Sequence, residues 1–553
     1  MIEQRTPVLV VGGGPVGLAL AGDLAWRGTS STLIEKSDGV VVQPKMCLVG
    51  VRTMEFCRRW GIAEWVEDNP YPRDYPQDYI YVTSLVGGYE LAREKFPTRQ
   101  DEPLPPQSPQ KRERCPQHLF DPLLRRWVKS LGKSNLEYHT ELVSFEQSED
   151  EVRAVVRSTE TGEKRVIRAD YLIGADGAGS TVRELLGITM TGNRSLTYTT
   201  HVLFHSSELP ELHDKGNGYR FLFIGPQGTW LTITSINGND LWRMQIIGSS
   251  ERRRATPAEI DEALQHAVGR QFSYEVINVM PWVRRELVAD SYATGRVLIT
   301  GDAAHLMSPT GAFGMNTGIQ DAVDLGWKLD AVLRGWGDPR LLDSYEIERR
   351  PVGQRNVTEA SENLRRMLST RSRKPPENLF EPGPEADEAR RDYGEWYAGI
   401  MHQEWFTIGV NLGYRYEDSP IIWPDGTPAP PLEIETYTQT ARPGSRAPHA
   451  WLAPGRSVID LFGRGFVLLD FGAAAADAAG GISAAAAAAG VPLTVVKIDE
   501  PEVAVLYGAQ LVLVRPDGHV AWRSDAAPDN PAELVEVIRG ARVMSRRQPA
   551  AVQ

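Results

Sequence analysis

Val8-Leu9-Val10-Val11-Gly12-Gly13-Gly14-Pro15-Val16-Gly17 begins as an apolar strand and runs directly into a turn of three consecutive glycines. The Ala- and Leu-rich segment from Val16 to Arg27 predicts a helix, and Thr32-Leu33-Ile34-Glu35 predicts a second strand. A strand, a helix and a strand in this order form a βαβ unit. The pattern therefore predicts a Rossmann-like α/β domain at the start of the sequence.

The glycines of this turn predict a dinucleotide site. Gly12 permits the tight turn, Gly14 lets the backbone approach a pyrophosphate, and Gly17 lets the helix pack closely on the strand. The helix start, with Pro15 followed by Val16, offers the free N–H groups of its first turn beyond the proline and a positive dipole end to the phosphates. Glu35, eighteen residues after Gly17, is placed to accept hydrogen bonds from ribose hydroxyls, and we group Lys36 with it as a cofactor residue.

Composition excludes several classes of protein. The 553 residues, 41% hydrophobic and 24% charged, are typical of a globular enzyme, and the length predicts roughly three to four domains. A net charge of −12 argues against a nucleic-acid partner, and the basic cluster Arg252-Arg253-Arg254 is short enough to be a solvated surface. Cys47, Cys57 and Cys115 are widely spaced, without a CxxC or a metal-ligand pattern, which predicts a reducing cytoplasm and no metal site.

No segment predicts export or membrane insertion. Glu3 and Arg5 are unlike the start of a secretory signal, and the glycines that follow would disrupt an apolar helix. The long uncharged stretch from Ala478 to Val496 is mostly Ala and Gly and is too weakly apolar to span a bilayer. We therefore expect a soluble cytoplasmic protein without a membrane partner.

The middle of the chain predicts an inserted antiparallel sheet. Strand patterns occupy Leu196–Phe204, Tyr219–Ile224, Thr229–Ile236 and Leu241–Ile247, with turns at 225–228 and 237–240. Before them the sequence predicts helices over 52–65 and 116–131 and a meander of strands over 137–146, 151–158 and 163–169. After them it predicts a helix over 317–333 and a linker over 371–388.

A second glycine pattern follows the predicted strand 296–300. It reads Gly301-Asp302-Ala303-Ala304-His305 and is followed by Pro309-Thr310-Gly311-Ala312-Phe313-Gly314-Met315-Asn316. An acid after a glycine at a strand end can simply cap a turn, but a cap does not require the Pro, Gly and Asn residues that come next. Together with the first turn, this pattern indicates two contacts with one flavin dinucleotide.

These patterns, with Ala175-Asp176-Gly177 and the following Ser180 and Arg183, resemble the flavoprotein aromatic hydroxylases of the para-hydroxybenzoate and phenol hydroxylase type. The resemblance implies that Asp302 binds a ribityl hydroxyl of FAD and that the backbone of Met315 and Asn316 faces the pyrimidine end. It also implies that Pro309 lies beside the reacting edge, and that Asp176 and Gly177 lie near the pyrophosphate. The further cofactor residues that it implies are Lys45, Arg114, Gln117, Gly301 and Gly314. Lys45 departs from the family, which usually has Arg after this Pro, so its bidentate phosphate contact is lost.

The resemblance also implies an architecture: an α/β fold with a Rossmann-like FAD-binding domain, an inserted antiparallel β-sheet substrate domain and a C-terminal thioredoxin-like domain. We expect the FAD-binding domain in three parts (1–78, 107–190 and 290–370), a substrate-domain excursion (79–106), the substrate-binding sheet (191–289), a helical or linker region (371–427) and the thioredoxin-like domain (428–553). The segment Gly472-Ala473-Ala474-Ala475-Ala476 stands where such domains carry a CxxC, so thiol chemistry is excluded there. Asp517-Gly518 predicts a hairpin within this domain.

The implied reaction is aromatic hydroxylation. NADH or NADPH reduces FAD, O₂ adds to give a C4a-hydroperoxyflavin, and an OH group passes to a phenolic or polyketide aromatic ring. The protein must exclude water and favour the phenolate of a small aromatic substrate. We expect His201, Tyr219 and Arg243 of the inserted sheet, with Pro309, to be the catalytic residues, and we allow for a homodimer.

Three alternatives compete with this interpretation. A flavin-dependent reductase or dehydrogenase could use the same superfold, and a non-catalytic protein could bind FAD as a structural or regulatory ligand. A flavin-dependent halogenase is disfavoured because Pro281-Trp282-Val283-Arg284 does not supply the WxWxIP signature of that family.

Overall fold

The computed structural model describes residues 3–249, 251–472 and 476–542. The strands are β1 (Glu3–Val11), β2 (Ser31–Ile34), β3 (Leu48–Val49), β4 (Tyr79–Val82), β5 (Glu90–Glu94), β6 (Glu113–Arg114), β7 (Ser134–Glu137), β8 (Thr140–Gln147), β9 (Val152–Ser158), β10 (Lys164–Gly174), β11 (Met190–His205), β12 (Arg220–Gly225), β13 (Gly228–Ser235), β14 (Leu241–Ser249), β15 (Glu275–Ala289), β16 (Ala293–Thr294), β17 (Val297–Ile299), β18 (His305–Leu306), β19 (Trp451–Ala453), β20 (Arg456–Ser457), β21 (Phe466–Asp470), β22 (Leu493–Lys497), β23 (Leu511–Val514) and β24 (Val520–Ser524). The helices are α1 (Pro15–Arg27), α2 (Val51–Arg59), α3 (Ala63–Glu67), α4 (Gln117–Leu131), α5 (Thr181–Leu185), α6 (Pro257–Val268), α7 (Phe313–Leu333), α8 (Asp343–Ser369), α9 (Pro384–Trp405), α10 (Ile408–Leu412), α11 (Ala476–Ala488), α12 (Pro501–Tyr507) and α13 (Pro531–Ile538).

The first sheet forms the Rossmann-like FAD-binding domain. Its order is β16-β17-β10-β1-β2-β7, with β8 and β9 continuing from β10. Strands β17, β10, β1, β2 and β7 run parallel to one another, whereas β16 is antiparallel to β17, and β8 and β9 form an antiparallel meander with β10. A parallel sheet must be covered on both faces, which explains why Val8 to Val11 are all buried. Helices α1, α4 and α7 pack together beside the sheet.

The second sheet is the inserted substrate domain, in the order β18-β15-β11-β14-β13-β12-β4-β5. Its neighbours are antiparallel except β12 and β4, which run parallel. Because strand side chains alternate between faces, Val202, Phe221 and Met244 pack with α6 in an apolar core. The residues one position away, including His201, Arg220 and Arg243, lie on the opposite face.

The long helices connect these two sheets. Helix α8 packs on α7 and on β15, and α9 packs on α8 and on β5. The carboxyl end of α9 therefore reaches the space between the sheets. Within the three described ranges, no helix combines the length and apolar character needed to cross a membrane.

The C-terminal domain is thioredoxin-like, with the sheet order β22-β21-β23-β24. Strands β21 and β22 are parallel and the other pairs are antiparallel. The hairpin predicted at Asp517-Gly518 joins β23 to β24, and Gly518 has the positive φ of 91° that favours glycine there. Residues 473–475 lie outside the described ranges; they belong to the segment 472–476, which occupies the place where thioredoxin-like domains carry a CxxC.

Four predicted elements differ from the structure. The predicted strand 137–146 is broken by His139, whose φ is +52°, so that β7 and β8 pair with different partners. The predicted helix 52–65 is two helices, α2 and α3, separated by Gly61 with a φ of +75°. Helix α9 begins at Pro384, inside the predicted linker 371–388, and α7 begins at Phe313, four residues before its predicted start. Strand β15 was not predicted.

Candidate active site

A cavity of about 560 Å³ lies between the first and second sheets. Its wall includes eleven of the predicted cofactor residues: Gly14, Pro15, Val16, Lys45, Arg114, Gln117, Gly177, Asp302, Pro309, Gly314 and Met315. It also includes the predicted catalytic residues His201, Tyr219, Arg243 and Pro309. Residues from two distant sequence patterns and from the inserted sheet therefore meet around one space.

The N-terminus of α1 opens onto this cavity. No side chain caps the helix start at Gly14, and a Cβ added to Gly14 would meet no protein atom within 4 Å. By contrast, a Cβ on Gly12 would collide with the carbonyl oxygen of Ala175, and one on Gly17 would collide with the carbonyl oxygen of Gly12. The turn is thus closed on the protein side and open on the cavity side, and it offers free N–H groups to an anion.

Three predicted cofactor residues use their side chains within the protein. The Glu35 carboxylate accepts hydrogen bonds from the Gly13 N–H at 2.7 Å and the Ser37 N–H at 2.9 Å, so it shapes the glycine turn. The Asp176 carboxylate accepts the Val182 N–H at 3.1 Å, and burial raises its pKa. The Asn316 side chain accepts from the Gly50 N–H at 2.8 Å and the Thr53 hydroxyl at 2.7 Å.

The prediction that Asp176 and Gly177 lie near the pyrophosphate stays a prediction. The carboxylate is directed at the first turn of α5, and Gly177 and Ala178 line the cavity in its place. Seven predicted cofactor residues lie off the cavity wall: Gly12, Gly17, Glu35, Lys36, Asp176, Gly301 and Asn316.

Gln117 links the cavity wall to helix α4. Its amide oxygen accepts the Lys45 N–H at 3.1 Å, and its amide nitrogen donates to Asp121 at 3.1 Å. Burial raises the pKa of Asp121 to about 7, although Gln117 and Arg125 oppose this. The Lys45 ammonium is exposed and lies 6.0 Å from the centroid of the Trp282 ring.

His201 is held neutral. Burial and three neighbours, Arg243, Arg284 and Arg220, lower its pKa well below the ordinary value. Its Nε2 lies 3.0 Å from the amide nitrogen of Gln245, whose amide oxygen accepts from Arg220 at 3.0 Å and from Thr232 at 3.1 Å. These two donors fix the orientation of the amide, so Nε2 of His201 is an acceptor and Nδ1 carries the proton.

Tyr219 and Arg243 lie beside this group. The Arg114 guanidinium stacks 3.5 Å from the centroid of the Tyr219 ring, and burial raises the pKa of the Tyr219 phenol, so this phenol stays neutral. Tyr219 immediately precedes β12 rather than lying in the predicted strand. Arg243 donates to the Pro44 carbonyl at 2.9 Å.

Sequence analysis missed several charged residues of the cavity wall, among them Arg220, Arg284 and Glu404. Arg284 donates to the Thr199 hydroxyl at 3.2 Å and to the Ser308 hydroxyl at 3.3 Å, and burial lowers its pKa to about 10. Burial also raises the pKa of Glu404, against the attraction of Arg220 and Arg284. The period-two pattern of the strands could have indicated the two arginines, but no local signal marks Glu404 at the end of α9.

Three arginines of the cavity wall interact electrostatically with His201, and within the described residues they have no ion-pair partner; we call Arg220, Arg243 and Arg284 the cavity arginines. Using a limit of 4.0 Å between nitrogen and oxygen, we find no carboxylate of the described ranges paired with any of them. The same ranges contain no group of three or more His, Cys, Asp or Glu side chains arranged to hold a metal ion. This end of the cavity therefore favours an anion.

Comparisons with known proteins agree with this geometry. The FAD binding domain model matches residues 5–360, and the model of the aromatic-ring hydroxylase C-terminal domain matches residues 440–541. The chain is 34% identical to tetracenomycin B2 monooxygenase-dioxygenase from Streptomyces olivaceus, over 99% of this chain and 100% of that protein. It is 35% identical to a putative polyketide hydroxylase from Streptomyces halstedii, over 96% and 95% of the two chains.

Solved structures show the same similarity. RebC, the rebeccamycin biosynthetic enzyme, with reduced flavin has a TM-score of 0.90 and 39% identity, covering 98% of this chain and 100% of that chain. Aklavinone-11 hydroxylase with FAD and aklavinone has a TM-score of 0.78 and 28% identity, over 97% and 99% of the two chains.

The residues present fit FAD. The uncapped start of α1 and the open side of Gly14 suit a pyrophosphate, and the exposed Asp302 carboxylate on the same wall suits a sugar-like hydroxyl. With this cavity, the two matched domains and relatives aligned along nearly their full lengths, the chain belongs to the FAD-dependent aromatic-ring hydroxylases, and it is a flavoprotein monooxygenase.

Proposed function

We propose that the protein hydroxylates a phenolic or polyketide-like polycyclic aromatic substrate that carries an oxyanion, either a carboxylate or an ionised phenol. The observation that carries this proposal is the group formed by the buried Arg243 and Arg284 and the half-buried Arg220, for which the described residues offer no acidic ion-pair partner. Buried charges are normally paired, so the partner is expected from the substrate. RebC soaked with chromopyrrolic acid holds 7-carboxy-K252c, a ligand whose name carries such a group.

The cofactor roles follow the cavity wall. The free N–H groups of Val16 and Gly17 would donate to the pyrophosphate beside Gly14 and Pro15. Asp302 would accept a hydrogen bond from a ribityl hydroxyl, and the backbone of Met315 and Asn316 would face the pyrimidine end of the flavin. Glu35 and Lys36 lie at the adenosine ribose, and Lys45, Arg114, Gln117 and Gly177 complete the wall. When bound, FAD supplies the two electrons and the activation of O₂ that hydroxylation requires.

The arginines, rather than a base, favour the phenolate. In the tautomer that Gln245 selects, His201 presents a donor at Nδ1, and its lowered pKa makes it a weak proton acceptor. Nearby guanidinium groups stabilise a substrate anion directly, which lowers the pKa of a bound phenol. Tyr219, stacked under Arg114, and Pro309, at the turn before α7, shape the space around the ring and exclude water from it.

The remaining partners are proposed on the resemblance to the family. NADH or NADPH donates the electrons and docks transiently, and O₂ is the oxidant. The cytoplasm suits the chain because Cys47, Cys57 and Cys115 are all unpaired and buried. We also propose a homodimer, for which light scattering should give twice 61.3 kDa.

The test is NAD(P)H oxidation by the FAD-loaded protein across paired aromatic substrates, each with and without a carboxylate. Acidic members should raise NAD(P)H consumption and yield hydroxylated product, and Arg243→Gln should remove that preference. Arg253→Gln, on the exposed surface beside Glu259, is the matched control. Steady NAD(P)H oxidation that no substrate affects, without oxygen insertion, would favour a reductase. A yellow protein without turnover would favour a non-catalytic flavoprotein.

A further inference from the structure

A single buried carboxylate lies beneath the loop that carries Asp302. One oxygen of Asp321 accepts the Gly301 N–H at 3.3 Å and lies 2.7 Å from Nε2 of His305. Its other oxygen accepts Nε–H of Arg349 at 2.7 Å. The side chains of Asp321, His305 and Arg349 are fully buried. Both ends of the segment Gly301–His305 are therefore attached to the same side chain.

The carboxylate is itself held in place and ionised. Arg349 reaches back to α7, where it donates to the Thr317 carbonyl at 3.3 Å and to the Gln320 side chain at 3.4 Å. Burial alone would raise the pKa of Asp321, but the charges of Arg349 and His305 outweigh burial and lower it. Because an ionised carboxylate only accepts hydrogen bonds, Nε2 of His305 is a donor to it.

The attached segment has a conformation that needs such support. Gly301 has a φ of +60°, and a Cβ placed there would lie 3.1 Å from Val16 of α1. The loop thus packs against the first turn of the helix that we assign to the pyrophosphate. Asp302, next to Gly301, is exposed on the cavity wall and points away from the buried anchor. A shift of the Gly301 backbone would displace Asp302 directly.

We propose that Asp321 is the positioning residue of the FAD site, fixing the loop Gly301–His305 so that Asp302 meets the ribityl chain. This inference rests on the proposed role of Asp302. Nothing in the sequence pattern marks Asp321, which lies on α7 some twenty residues beyond the loop. It contacts the cofactor only through the backbone that it holds.

The experiment measures the Kd of FAD for the apoprotein of Asp321→Asn and follows the visible spectrum of the reconstituted flavin. Loss of hydrogen bonds to a charged acceptor should weaken FAD binding about tenfold to a hundredfold and alter the flavin absorption bands. The control is Asp23→Asn, a fully buried α1 aspartate paired with Arg27 and bonded to Trp60. The control should lose thermal stability but keep the Kd and the spectrum of wild type.

A double-mutant cycle with Asp302→Asn separates this inference from the role of Asp302. If Asp321 acts through Asp302, the double variant should bind FAD about as well as the weaker single variant. Fully additive losses, or wild-type binding by Asp321→Asn, would overturn the positioning role. An unchanged Kd in Asp302→Asn with a weakened Asp321→Asn would instead overturn the ribityl assignment.

If Asp321→Asn does not fold, His305 supplies the test. His305→Leu removes one anchor and keeps the Asp321–Arg349 pair, whereas His305→Gln retains an amide donor. We expect several-fold weaker FAD binding in the first variant and partial recovery in the second. Equal Kd values for both would contradict the proposal, because shape alone would then account for the effect.

Discussion

Replacing Arg515 should separate the C-terminal domain from the flavin domain. The guanidinium is fully buried, and it lies at the base of the hairpin that carries Asp517 and Gly518. It donates to Glu348 at 2.5 Å and 2.9 Å, to Asp324 at 3.1 Å and to Asp517 at 2.6 Å. Arg515→Met keeps most of the side-chain volume. It leaves the buried carboxylates of Glu348, Asp324 and Asp517 with less positive charge beside them.

The size of the stability loss follows from the ion pairs that remain in the Arg515→Met variant. Lys328 still pairs with Asp324 at 2.7 Å and Glu348 at 2.6 Å, but it cannot neutralise all three acids. Breaking a buried ion pair from one side costs about 3–5 kcal/mol, and we expect a loss in the free energy of unfolding of this size. Arg539→Met, which removes a partly exposed pair with Glu536, should cost about 1 kcal/mol or less.

Urea unfolding, followed by flavin fluorescence and by tryptophan fluorescence, measures the loss in the free energy of unfolding. Comparing the two signals shows whether the flavin domain and the C-terminal domain unfold separately. The Arg515→Met/Glu348→Gln double variant should recover part of the stability, because it removes a stranded charge. The reasoning is refuted if Arg515→Met unfolds within about 1 kcal/mol of wild type, the range of a surface pair. A truncation near residue 430 that retained full stability and turnover would contradict it equally.

Three further predictions test other parts of the molecule. Gly14→Val should fold with normal apoprotein stability but lose FAD, since its Cβ meets only the cavity, whereas Gly17→Val should misfold; a flavin content like wild type in Gly14→Val would contradict this. Glu55, fully buried between Arg446 and Arg52, has a pKa lowered from 4.5 to about 2, so burial is outweighed by the two arginines. The stability it contributes is present above pH 4.5 and lost as the pH falls towards 2, and Glu55→Gln should flatten this part of the unfolding profile. Replacing Tyr219 or Arg243 should raise the hydrogen peroxide formed per NAD(P)H more than it lowers flavin content, and unchanged coupling in both variants would remove them from the substrate site.

The flavin half of the site could be predicted because its geometry is local. Gly12, Gly14 and Gly17 are constrained by contacts within one turn and the strand beside it, so their spacing alone carries the information. The thioredoxin-like domain was predicted from the resemblance to the family, whereas its Asp517-Gly518 hairpin has a short-range signal of its own. A local motif gives no side-chain direction, and the Asp176 carboxylate accepts a hydrogen bond from the Val182 N–H.

The substrate half could not be predicted in the same way. Arg220, Arg284 and Glu404 come from two strands and the end of a helix, and only sheet register and the packing of α9 bring them together. Asp321 shows the same limit, because its role depends on a loop that folds back onto its helix. Residues that act through tertiary contacts carry no spacing that a single sequence could display.

Of the cavity arginines, Arg284 reduces the stability of the free protein. Burial lowers the pKa of Arg284 from 12.5 to about 10, and at 1.36 kcal/mol per pKa unit this represents about 3 kcal/mol of unfavourable burial near pH 7. Glu404 opposes this shift of the Arg284 pKa, but the pKa of Glu404 is itself raised by burial, so its compensation is weak. An anionic substrate removes part of this penalty when it binds, so binding energy and stability are coupled at the same residues. A neutral analogue of the same shape leaves the penalty in place, and discrimination between the two is therefore a direct consequence of leaving these guanidinium groups unpaired.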